Sequence, residues 1–137
     1  SPLWRDLMVA PWGKSALELF CGAFQRGKSD VGGMIPLSEE DIEDLFRRIV
    51  AAERDCEERA VEKIRQYDLP IDPSEYIRRA NAYLWYHAMI PVLGGFYPTG
   101  KEPYRIREVW THCPDHFDND YAVVPKFLEH AYRTYCV

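Results

Sequence analysis

What the chain lacks narrows its chemistry before what it holds is considered. No uninterrupted apolar run approaches the ~18 residues that a membrane-spanning helix requires, so no membrane span is expected. The first residues lack the basic-then-apolar order of a secretory leader. Lys and Arg number 17 against 22 Asp and Glu, a net charge of −5, so the phosphate-neutralising excess of a nucleic-acid binder is missing. Its basic spots, such as Arg47-Arg48 and Arg78-Arg79, sit among acids or aromatic rings. Cysteine is sparse, and Cys21, Cys56, Cys113 and Cys136 form no CxxC pair. Reduced, mostly buried thiols are therefore expected, in a cytoplasmic or otherwise intracellular chain; a secreted form with a removed signal is the alternative. No GxSxG elbow, HExxH motif or Glu-x-x-His pair is present, nor any internal repeat or low-complexity segment.

What is there describes a globular domain. The 137 residues, 47% hydrophobic and 28% charged, suit one domain spanning 1–137 with a real core. Aromatic residues crowd the part of the chain after Tyr67, where their large apolar bodies suit a core and their polar tips suit its rim.

The pattern along the chain is mainly α: about four helices, with one long central helix (about 38–68) and a small irregular or β-hairpin insertion near 94–120. Residues 1–13, with Trp4, Leu7, Met8, Val9 and Trp12, read as an apolar N-terminal arm. A first helix is predicted over 15–26 and ends at Gly27. Ser38-Glu39-Glu40-Asp41 then has the form of a capping box, with acids where the helix dipole favours them. The stripe Ile42, Leu45, Phe46, Ile49, Ala52, Cys56, Ala60, Ile64 and Tyr67 keeps helical spacing, and the charged residues between are read as a solvated face. Some 30 residues at ~1.5 Å each span about 45 Å, more than the diameter of a compact domain of this size. The small residues Ala52, Cys56 and Ala60 would let another helix approach closely.

Asp72-Pro73-Ser74-Glu75 opens the next helix with an N-cap and a first-turn proline; it should stop before Pro91 and lie antiparallel to the long helix. Glycines and prolines then break the chain, and Phe96-Tyr97 and Tyr104–Trp110 are the strands of the expected hairpin. A last helix over 124–135 should turn Phe127, Leu128, Ala131 and Tyr135 inward.

Gly22 to Ser29 satisfies the GxxxxGKS phosphate-loop pattern. That chemistry needs a buried strand before the loop and a helix after it. Here a helix precedes, and Gly32, Gly33 and Pro36 follow, so the match is a helix end and turn. His112 to Asp120 is the densest cluster of possible metal ligands. Cys113 and His116, with His130 and Cys136, form a C-x2-H and H-x5-C arrangement, the one zinc reading the sequence offers; otherwise no cofactor is expected. His112 or His116 beside Asp118 or Asp120 would make an acid–base pair, and His87, among Trp85, Tyr86 and Met89, is a further catalytic candidate. The competing reading is a turn-rich loop whose Asp and Asn side chains cap local backbone groups.

The functional expectation is a protein-interaction, regulatory or adaptor domain acting through helical surfaces, by a protein partner or by self-association. Trp4, Trp12, Ala52, Cys56 and Ala60 are its candidate contact residues. The alternative is a small metal-dependent or acid–base enzyme using the His112–Asp120 loop.

Overall fold

Ser38 begins the long helix as its sequence demands. Its hydroxyl accepts the Asp41 amide at 3.1 Å, and the Asp41 carboxylate accepts the Ser38 amide at 3.3 Å, closing the capping box. The computed structural model describes residues 38–137. The N-terminal arm with Trp4 and Trp12, the helix over 15–26 and the phosphate-loop-like run lie outside the described residues. Helix α1 is Glu39–Gln66. On its solvent side Asp44–Arg48, Arg54–Glu58 and Asp55–Arg59 pair one turn apart at 2.7 to 3.0 Å, each contributing a few tenths of a kcal/mol.

The helix ends in a Schellman motif. The Leu69 amide reaches the Ile64 carbonyl at 3.0 Å and the Asp68 amide the Arg65 carbonyl at 3.4 Å, with Asp68 left-handed at φ 49. Helix α2, Pro73–Tyr86, starts on the Asp72 carboxylate, which accepts the Ser74 amide at 3.0 Å. Glu57 pairs with Tyr76 and Glu53 with Tyr83, so contacts step back along α1 as they advance along α2: the two run antiparallel.

Helix α2 stops before Pro91, as expected, and a 3-10 turn, His87–Met89, leads from it into the short helix α3, Ile90–Leu93. There Pro91 occupies the first turn, where a missing amide costs nothing, and Gly94 closes it at φ 82. The hairpin is absent, since no strand occurs among the described residues. Turns at Pro98–Lys101 and Glu102–Arg105 lead instead into helix α4, Arg107–Trp110. The reason is legible afterwards: the inward residues Ile106, Val109, Trp110 and Cys113 are spaced i, i+3, i+4 and i+7, a helical period.

Helix α5, Lys126–Tyr135, buries Leu128, Ala131 and Tyr132. Phe127 and Tyr135, expected inward, are 50% and 42% exposed. The Tyr132 hydroxyl fixes the helix by donating to the Ala82 carbonyl at 2.5 Å. Residues 81–87 of α2 and its extension are buried on every side, so α2 is the axis around which α1, α4 and α5 pack. The fold is mainly helical, and no helix among the described residues is long and apolar enough to cross a membrane.

Candidate functional site

The His112–Asp120 loop is built by α2. Asn81, fully buried, donates to the carbonyls of Pro114 (2.9 Å) and His116 (2.8 Å) and accepts the Tyr121 hydroxyl at 2.6 Å. Arg78 adds a bond to the Cys113 carbonyl at 2.7 Å. The loop's acids serve its own backbone. Asp118 accepts the amides of Asn119 and Asp120, and Asp120 that of Ala122, as Asx turns do. His116 is exposed and 3.7 Å from Asp115, while the exposed His112 ring stands edge-on to Phe127 at 6.3 Å.

The zinc candidates separate by burial. Cys113 and Cys136 lie in the core, whereas His116 and His130 are exposed. Burial pushes both thiols up, Cys113 to about 12 and Cys136 to about 11, which disfavours the thiolate a metal would need. Among the described residues no three His, Cys, Asp or Glu side chains converge as a metal site, and Cys56, Cys113 and Cys136 are free.

The long helix holds a site that sequence reasoning passed over. Its buried residues are Ile42, Ile49, Val50, Glu53, Glu57, Val61 and Ile64, and two of these are acids. Ala52, Cys56 and Ala60 are only half-buried at the margin of this face. The solvated-face reading therefore fails at Glu53 and Glu57, because α2 packs one residue round from the stripe of small side chains. Tyr83 donates to Glu53 Oε1 at 3.2 Å, and Tyr76 donates to Glu57 Oε2 at 2.5 Å. Burial raises Glu53 to about 8, with the Glu57 charge adding and the Tyr83 bond opposing. Burial likewise raises Tyr76, helped by its bond to Glu57.

His87, named as a candidate from the sequence, adjoins this cluster. Its ring lies edge-on to Tyr83 at 4.9 Å, and Nδ1 is 3.1 Å from the carbonyls of Tyr83 and Leu84. Carbonyls only accept, so Nδ1 carries the hydrogen. Burial lowers His87 to about 4, and it is neutral at physiological pH. The signal that could have found the two acids was Val50 and Val61. They stand eleven residues, three turns, apart, and a stripe joining them runs past 53 and 57.

Two surface features complete the picture. A groove of about 580 Å³ runs between α4 and α5, with His112, Phe127, His130 and Tyr135 among its walls. A larger hollow of about 790 Å³ separates Phe46, Val50 and Arg54 of α1 from residues 119–122. No protein-family model matches the chain, and neither a curated protein nor a solved structure matches it.

Proposed function

We propose that this chain is a helical interaction domain whose docking surface is the α4–α5 face, and that the partner seated there is a second copy of the chain. The observation that carries this reading is the two-sided apolar character of α5. Leu128, Ala131 and Tyr132 face the core, while Phe127 (50% exposed), Tyr135 and the preceding Val123 (72% exposed) face out. A helix apolar on both sides is ordinarily covered on both sides.

Charge favours a like partner. Arg107 stands beside Glu108 in the groove wall, and Glu129 pairs with Arg133 at 3.2 Å, so the face is locally balanced in a chain of net charge −5. Two copies meeting by a two-fold axis would bring these locally balanced surfaces together without net repulsion between them. The acid–base loop has less support. Asp118 and Asp120 are occupied by backbone amides, and neither His112 nor His116 is hydrogen-bonded to either. Sedimentation of the wild type beside Phe127→Asp tests the proposal.

A further inference from the structure

Histidine is scarce, with four in the chain, and two of the four line one surface groove from different elements. His112 follows the last turn of α4, His130 stands in the middle of α5, and both are exposed. The other two are placed differently: His87 is sealed in the core, and His116 lies beside Asp115, outside the groove. The His112 ring stands edge-on to Phe127, with 6.3 Å between centroids, so it leans across the groove toward α5. His130 comes three residues after Phe127, one turn along the same face of α5. The two imidazoles therefore neighbour the same phenyl ring.

Neither imidazole has a hydrogen-bond or ion-pair partner among the described residues; the Thr134 hydroxyl, 2.8 Å from the His130 carbonyl, bonds backbone rather than ring. A free neutral imidazole offers a nitrogen lone pair, and imidazole nitrogen is a common ligand of zinc. Two nitrogens make only half of a structural zinc site, which is four-coordinate and tetrahedral. No third His, Cys, Asp or Glu joins them among the described residues. A two-fold axis through the groove turns two donors into four. Charge agrees with a cation there, since two copies together carry twice −5 and no Lys lines the groove. Glu108 stands four residues before His112 in the same wall, within reach of the imidazole N–H that a bound metal would leave free.

We propose that the α4–α5 groove is half of a zinc site, completed when the chain pairs with its copy: His112 and His130 of each copy supply the four nitrogens of one tetrahedral Zn²⁺ on the two-fold axis. The assignment rests on the self-pairing proposed above and adds to it a metal that fixes the register of the pair. Phe127, beside both imidazoles, is the apolar contact next to the ion.

The test combines sedimentation equilibrium with equilibrium dialysis of the full chain, first freed of metal with EDTA and then supplied with zinc chloride. The wild type should retain one zinc per two chains. Zinc should tighten its pairing at least ~10-fold, because the ion binds the pair in preference to the single chain. His112→Ala and His130→Ala, both at exposed positions, should fold, pair like the metal-free wild type and retain no zinc. His116→Ala, which alters an exposed histidine outside the groove, should behave as the wild type. Pairing that zinc leaves unchanged would overturn the zinc site and leave self-pairing standing. A chain that stays single with and without zinc would overturn both. Zinc retained as well by His112→Ala or His130→Ala, or lost in His116→Ala, would also overturn the assignment.

Discussion

The Tyr121 hydroxyl donates to Asn81 Oδ1 at 2.6 Å and accepts the Asp118 amide at 2.9 Å, joining the middle of α2 to a loop forty residues away. Removing that hydroxyl strands two polar groups at once. Tyr121→Phe should lose roughly 1–3 kcal/mol in urea unfolding and speed amide exchange across 114–122. Asn81→Asp should be worse, since it sets a carboxylate against the Pro114 and His116 carbonyls that Asn81 now feeds. Wild-type exchange rates in Tyr121→Phe would contradict this role.

The pH dependence of stability follows from two buried groups of opposite sign. Glu53 rises from 4.5 to about 8 on folding, so its contribution is complete at low pH and is lost as pH climbs from 4.5 through 8. His87 falls from 6.5 to about 4, so its contribution is complete above 6.5 and is lost as pH falls toward 4. The two slopes cancel between 4.5 and 6.5, and above 6.5 Glu53 acts alone. Unfolding free energy should be level to about 6.5 and then fall by roughly 1.4 kcal/mol per pH unit toward 8. In Glu53→Gln the alkaline fall should vanish; if it persists, Glu53 is not the group responsible.

Asp68 occupies the left-handed closing position of the α1 Schellman motif, at φ 49, with its negative charge at the negative end of the helix dipole. Asp68→Gly removes the steric cost and the charge together. A gain of about 1 kcal/mol in chemical denaturation is expected, and Asp68→Ala should gain less or lose.

The core thiols should be unreactive while the chain is folded. Site-resolved alkylation near neutral pH should leave Cys113 and Cys136 unmodified until denaturant is added, because both are buried and pushed up in pKa. Rapid labelling of either in the native protein would contradict the packing around Tyr132.

The sequence made the helix starts legible and the interior chemistry illegible. Ser38 with Asp41 and Asp72 with Pro73 act within three residues, so their roles follow from local chemistry and appear as read. Whether Glu53 faces water or Tyr83 depends on where α2 lies around α1, and one residue of rotation decides it. The same holds for Phe127 and Tyr135, which satisfy a helical stripe yet point outward because Leu128 and Tyr132 take the inner face. Tyr104–Trp110, expected as a strand, ends in a helical turn because its inward residues, Ile106, Val109 and Trp110, keep the i, i+3, i+4 spacing that continues to Cys113. Of the candidate catalytic residues, His87 alone adjoins the α1–α2 cluster; His112 shares the α4–α5 groove with His130 instead.

The central claim is that the α4–α5 face pairs with a second copy, and sedimentation equilibrium over a hundredfold range of concentration measures it directly. The mass should rise from one chain toward twice 16.0 kDa in the wild type and stay at that of a single chain throughout for a folded Phe127→Asp. A wild type that stays at one chain's mass at the highest concentration, or a Phe127→Asp that pairs as well as the wild type, would contradict it.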